Sequence, residues 1–177
     1  MYFAITRPSP LGILTLERDG DSLVGLWLET RRPPVKGAPP SRPDKGEAPV
    51  FKRVQEWLAA YFAGEKPSTA GLALSPRGTP FQLEVWERLA RVPYGQTVSY
   101  SDIARELAPT RPSGRLSARA VGGAVGSNPI SIIIPCHRVV GADGSLVGFG
   151  GGLEAKRRLL EREGLRPGLE GRAALFW

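Results

Sequence analysis

Residues 127–140, Ser127-Asn128-Pro129-Ile130-Ser131-Ile132-Ile133-Ile134-Pro135-Cys136-His137-Arg138-Val139-Val140, hold the only cysteine and the only histidine of the chain side by side. The β-branched run at 130–134 reads as a short buried strand, and Pro135, which cannot donate to a ladder, ends it. A thiol, an imidazole and a guanidinium then emerge together from a rigid apolar element. A free cysteine often serves as a small buried hydrophobe. Here the apolar run stops before Cys136, and cationic neighbours pull a thiol pKa from about 8.5 toward neutrality, favouring the nucleophilic thiolate. Cys136 is therefore the candidate nucleophile. One cysteine and one histidine cannot supply the four ligands of a structural zinc site, so no metal is expected; no cofactor is expected either.

Upstream of this stretch the pattern is helical. Residues 81–92 place Phe81, Val85, Leu89 and Val92 on one stripe with Trp86 beside it, and Thr79-Pro80 supplies a cap and a first-turn proline. Ser99 with Asp102 makes a capping-box start for a short helix over 101–107. A second short helix begins near Leu116 and runs to Val125, built of small residues with one long side chain, Arg119. Small residues let a backbone approach a partner closely, and arginine suits phosphate and base contacts. Residues 101–140 carry five arginines against two acids, as a groove binder requires. Downstream, a tight turn over 141–145 leads to a glycine-rich run, Leu146-Val147-Gly148-Phe149-Gly150-Gly151-Gly152, beside the candidate nucleophile. In the last helix, 153–163, Leu159 and Leu160 face the core, while Lys156, Arg157 and Arg158 are expected outward. Glu163 in its last turn opposes the helix dipole, so it is a solvated charge unless a partner holds it.

The N-terminal third carries no clustered chemistry. Three β-rich runs, 2–6, 12–16 and 23–28, are separated by Pro8-Ser9-Pro10 and Asp19-Gly20-Asp21, which predicts an antiparallel meander. Residues 30–49 hold six prolines and read as a linker or surface loop. Val50, Val54, Trp57, Leu58 and Tyr61 recur at helical spacing before Gly64. Residues 72–74 form a possible further strand, and the Pro/Gly-rich stretch after it sets a boundary between domains at 1–76 and 77–177. At 177 residues the chain has room for two small domains. No apolar stretch approaches the roughly 20 residues of a membrane span, and no signal peptide opens it. A lone cysteine fits a reducing, cytoplasmic setting, and a formal charge of +7 favours a polyanionic partner.

The stretch Pro135-Cys136-His137-Arg138-Val139 resembles the active-site motif of the O6-alkylguanine-DNA alkyltransferases. Val98-Ser99-Tyr100, Ala118-Arg119-Ala120-Val121-Gly122, Ser127-Asn128-Pro129 and Gly150-Gly151-Gly152-Leu153 recur in family order, so the resemblance is strong over 80–165. It implies an N-terminal α/β domain of ribonuclease-H-like form, a small antiparallel sheet plus a helix. A mainly α, winged-helix-like domain would follow. The helix bearing Arg119 would enter the minor groove of double-stranded DNA, with Ser117, Ala118, Ala120, Gly122, Gly123 and Arg138 as further DNA contacts. Arg119 would fill the place of a flipped O6-alkylguanine. Cys136 would take the alkyl group irreversibly, once per molecule, making the chain a single-turnover methylated-DNA–protein-cysteine methyltransferase.

By the same resemblance His137 would accept the thiol proton through a water, Glu163 would orient the imidazole, and Tyr100 would assist the departing guanine. Asn128 would brace the turn before the active-site strand. The Val139 carbonyl and the Gly150 N–H would bind the base, with Phe149 standing where the family commonly has tyrosine. The segment between Tyr100 and Arg119 is several residues longer than usual. A monomer without obligate protein partner is expected. Three other readings compete: a lesion-binding relative, which Cys136 opposes; a helix-turn-helix regulator with an incidental cysteine; and a cysteine hydrolase. The last is disfavoured because adjacent residues of a strand face opposite ways.

Overall fold

A computed structural model describes residues 1–28 and 41–166. Most of the proline-rich linker and the end of the C-terminal domain lie outside the described residues. Three strands, β1 (Tyr2–Ser9), β2 (Gly12–Asp19) and β3 (Ser22–Leu28), form the expected meander, with tight turns at Pro10-Leu11 and Gly20-Asp21. The sheet is mixed rather than purely antiparallel. A two-residue strand, β4 (Arg42–Pro43), adds to β1 in parallel, giving the order β3-β2-β1-β4. Helix α1 (Pro49–Phe62) lays Val50, Phe51, Val54, Trp57, Leu58 and Tyr61 against the sheet, as their spacing requires.

β3 is the sheet's other edge, yet Leu23 to Leu28 are all buried. Its outer side is covered by two passes of chain. Leu23 exchanges hydrogen bonds with the 73–75 segment, donating to Ala73 O at 2.8 Å and accepting from Ser75 N at 2.8 Å. Leu26 does the same with the segment before Cys136, donating to Pro129 O at 2.8 Å and accepting from Ser131 N at 2.7 Å. An edge strand that would otherwise invite association is thus closed off within the chain. The same bonds fix the sheet in register with the candidate nucleophile, and one hydrophobic core runs through both halves.

The C-terminal half is built on α2 (Pro80–Ala90), α3 (Tyr100–Leu107), α4 (Ala118–Gly126) and α5 (Leu153–Arg162), with β5 (Val98–Ser99) and β6 (Val139–Val140) paired in parallel. Two capping boxes, Thr79 with Gln82 and Ser99 with Asp102, start α2 and α3, and Ser117 caps α4 through Ala120 N. Trp86 of α2 donates from Nε1 to Ala124 O at 2.8 Å, locking α4 across it. The long connection before α4 stays on the surface. It makes one 3₁₀ turn, Ala108–Thr110, and is pinned to α2 by Thr110 and Arg111, which both reach Glu84.

The run at 130–134 is not a strand. Ile130 makes a single parallel bridge to Leu26, and the chain then turns, with Ile132 at φ 71°. All four isoleucines are buried, so the apolar content is read correctly and the backbone is not. A short run buried on every side has no periodicity to tell strand from turn.

Candidate active site

The turn is held by Asn128. Its side-chain oxygen accepts from Ile130 N at 3.0 Å and its amide donates to Ile134 O at 2.8 Å, so one buried side chain replaces the ladder bonds a strand would have supplied. Pro135 follows, and Cys136 opens a 3₁₀ turn, Cys136–Arg138, with the thiol buried. Burial pushes the thiol pKa up. Hydrogen bonding by Asn128, the Lys156 charge and hydrogen bonding by Ser131 pull the other way without prevailing. The expectation of a depressed thiol pKa is therefore reversed at rest. Arg138 points its charge elsewhere, and desolvation dominates.

Behind the thiol lies a buried ionic cluster. His137 is fully buried, and its Nε2 lies 2.7 Å from Glu163 Oε1. Arg138 grips the same carboxylate twice, Nε to Oε2 at 2.8 Å and Nη2 to Oε1 at 2.9 Å, and donates from Nη1 to Val92 O. Tyr61 of α1 donates to Oε1 at 2.8 Å and Gly95 N to Oε2 at 3.1 Å. Burial alone would raise the Glu163 pKa, but hydrogen bonds and charge from His137 and Arg138 outweigh it and hold it at about 2. For His137 burial wins over the Glu163 hydrogen bond and pushes its pKa down. The imidazole is thus neutral at pH 7, and Arg138 supplies the permanent counter-charge. A neutral ring beside a carboxylate donates from Nε2, which leaves the Nδ1 lone pair as an acceptor. Nδ1 is buried and has no hydrogen-bond partner among the described residues.

On the other side stands Lys156. It is fully buried rather than outward-facing, and donates from Nζ to the carbonyls of Val139, Val147 (2.7 Å) and Gly148 (3.3 Å). Burial lowers its pKa to about 8, against the raising effect of Cys136. The ammonium thus ties β6 to the glycine-rich run and puts a positive charge near the thiol. Tyr100, at the start of α3, donates to Val147 O at 3.2 Å, and burial raises its own pKa, as does Cys136. Replacing Lys156 by Met leaves carbonyls without their buried donor. Lys156→Met is expected to lower unfolding stability by about 1–3 kcal/mol and to speed hydrogen exchange over 146–150. An unmoved urea midpoint would show that the ammonium is dispensable to the loop.

Helix α4 presents a separate surface. Val121, Ala124 and Val125 face inward, while Ser117, Arg119, Ala120 and Gly123 are exposed and Ala118 and Gly122 half-buried. A Cβ at Gly123 would meet nothing within 4 Å, so this face is open to an incoming partner. Among the described residues no group of three histidine, cysteine or acidic side chains comes together to hold a metal.

Two family models match this chain, one in each half. The DNA-binding domain of 6-O-methylguanine DNA methyltransferase matches residues 80–165, and the ribonuclease-like domain of the same family matches residues 1–76. The chain belongs to the 6-O-methylguanine DNA methyltransferase family. A methylated-DNA–protein-cysteine methyltransferase from Haemophilus influenzae is 45% identical over 157 residues, 88% of this chain and 83% of that protein. One from Methanosarcina acetivorans is 40% identical, covering 93% of this chain and 99% of its own. The crystal structure of Mycobacterium tuberculosis OGT in complex with DNA is 44% identical, covers 92% of this chain and 91% of that one, and superposes with a TM-score of 0.74.

In this methyltransferase-family chain Cys136, His137, Asn128, Tyr100 and Val139 gather at one site, with Glu163 joined to it through His137. Gly150 lines a cavity against Cys136. Phe149 is half-buried beside Gly151. Arg138, expected among the DNA contacts, is buried instead. Its guanidinium is buried against Glu163 and Val92, because the carboxylate inside the domain needs a cation. Glu163 is correspondingly no solvated charge. Sequence reasoning missed Lys156 and Tyr61. Lys156, Leu159, Leu160 and Glu163 follow the spacing i, i+3, i+4, i+7, which already placed all four on one face. The Tyr61 hydroxyl left no such mark.

Proposed function

We infer that this chain repairs alkylated DNA by direct reversal, moving the alkyl group of O6-alkylguanine in double-stranded DNA to Cys136. The observation that carries the reading is the buried order carboxylate, imidazole, thiol. Glu163 fixes the His137 tautomer, and the Nδ1 lone pair has no protein partner to satisfy it. In the proposed reaction Nδ1 takes the Cys136 proton through a bridging water. The sulfur attacks the alkyl carbon, an S–C bond forms, and the C–O bond breaks with its electron pair going to the guanine. The guanine gains one proton, for which Tyr100 is the proposed donor, and the His137 imidazolium returns the thiol proton to the Tyr100 phenolate by way of solvent, so the net change is one proton moved from sulfur to guanine. Lys156 offsets charge on the sulfur as it develops.

A thiol buried in a packed domain cannot reach a base inside a duplex, so the guanine must be extruded. Helix α4 suits this task. Its exposed face is made of small residues that fit a minor groove about 6 Å wide, and Arg119 projects from it. The dispersal of Ser117, Ala118, Ala120, Gly122 and Gly123 along one helix supports their role as groove contacts. A DNA substrate and a single thiol fit a cytoplasmic protein. The test is an O6-methylguanine duplex mixed with protein and read by intact mass and peptide mapping. One methyl per molecule on Cys136, after which reaction stops, is expected. Many turnovers, or methylation at another residue, would exclude the mechanism.

A further inference from the structure

The wall of the cavity facing Cys136 comes from the other domain. Trp27 and Leu28, the last residues of β3, line it together with Val125, Asn128, Gly151 and the thiol itself. The cavity measures about 20 Å³, which is room for a single water-sized group. A methyl group is of that size, and a longer substituent on the sulfur would reach the Trp27 and Leu28 wall. Both wall residues are buried in the core, so moving either one to make room disturbs close packing. The hydrogen bonds from Leu26 to Pro129 and Ser131 hold this end of β3 in register with the turn that delivers Cys136. Trp27 lies back over Gly25, where a Cβ would come within 2.2 Å of its ring. Leu28 in turn abuts the glycine-rich run, since a Cβ on Gly151 would come within 2.2 Å of its Cδ1.

We propose that Leu28, backed by Trp27, sets the upper size of the alkyl group that Cys136 accepts, making the N-terminal domain a specificity element of the C-terminal site. This rests on the alkyl-transfer reading above. The group transferred stays on the sulfur after the C–O bond breaks, so it must be housed both in the transition state and in the product. A substituent larger than methyl has to displace Leu28 from its contact with Gly151, and that displacement adds to the barrier for the large group alone.

The experiment compares single-turnover transfer from duplexes carrying O6-methylguanine or O6-benzylguanine, using wild type, Leu28→Ala and Leu28→Phe. A benzylic carbon is intrinsically the more reactive in displacement, so the quantity read is the benzyl-to-methyl rate ratio of each variant relative to wild type. Leu28→Ala should raise that ratio by at least about tenfold, the scale on which one methylene in an apolar pocket discriminates substrates, and Leu28→Phe should lower it. Damage to folding or DNA binding slows both substrates and cancels in the ratio. A ratio within about twofold of wild type in both variants, or one moving the same way in both, overturns the gate while leaving the transfer chemistry standing. Wild-type protein that methylates no cysteine at all would overturn the transfer reading and the gate with it.

Discussion

Arg119→Ala is expected to slow transfer from duplex DNA by roughly one to three orders of magnitude while leaving reaction with free O6-methylguanine unchanged. Arg119 stands exposed on the open face of α4 and makes none of the hydrogen bonds that hold Glu163 behind Cys136. Its removal therefore leaves the thiol, His137 and Glu163 in place. Extrusion of a base costs a few kcal/mol of stacking and pairing, and each factor of ten in rate is about 1.4 kcal/mol. If the guanidinium fills the vacated stack, losing it returns much of that cost to the barrier. A phosphate contact behaves differently. It weakens binding, reduces the salt slope by about one, and its effect vanishes at saturating protein. A flipping defect persists at saturation. Equal loss on free base and duplex would show that Arg119 acts through the packing of α4 instead.

The elements of this fold that were legible in the sequence are those with a local physical signature. The meander announces itself through β-rich runs between turn formers, and α2 and α3 through Thr79 and Ser99 at their caps; the Ser117 cap of α4 shows only in the structure. The Cys136-His137 pair drew attention because both residues are unique in the chain. Illegible were the features that depend on three-dimensional closure. Residues 130–134 look like a strand because a buried turn and a buried strand have the same composition. What decides between them is Asn128, whose side chain takes the place of a ladder.

Charge was the harder case. Lys156 was read as outward and Arg138 as a DNA contact, and both are buried because the domain encloses acceptors for them. Arg138 answers Glu163, and Lys156 answers three carbonyls of β6 and the glycine-rich run. The reach of the N-terminal domain into the site was equally hidden. Tyr61 is 102 residues from Glu163 in the chain, and Leu28 approaches Gly151 only once β3 has paired with the turn before Cys136.

Glu163→Gln should produce two large effects that separate positioning from mere support. The first is on stability. The folded pKa of Glu163, about 2, lies below the ordinary 4.5, so its contribution is fully present above about pH 4.5 and is lost as the pH falls toward 2. Gln removes it at every pH and leaves Arg138 buried without its counter-ion. Unfolding free energy at pH 7 should drop by about 3–5 kcal/mol, and the gap to wild type should close on acidification through 4.5. His137 acts in the same direction at milder pH. Its folded pKa is depressed below 6.5, so both proteins lose stability as the unfolded state binds a proton the folded state refuses. The second effect is on rate. A Gln amide can donate to Nε2, which moves the His137 proton to Nδ1 and abolishes the acceptor for the thiol. Transfer per folded molecule should slow within the ~10²–10⁴ range that a general base supplies. Because burial pushes the Cys136 pKa up, raising the pH to 9 should not restore the rate. Recovery at pH 9 would mean that the thiol ionises without help, and an unchanged rate beside a lowered stability would reduce Glu163 to an anchor for Arg138.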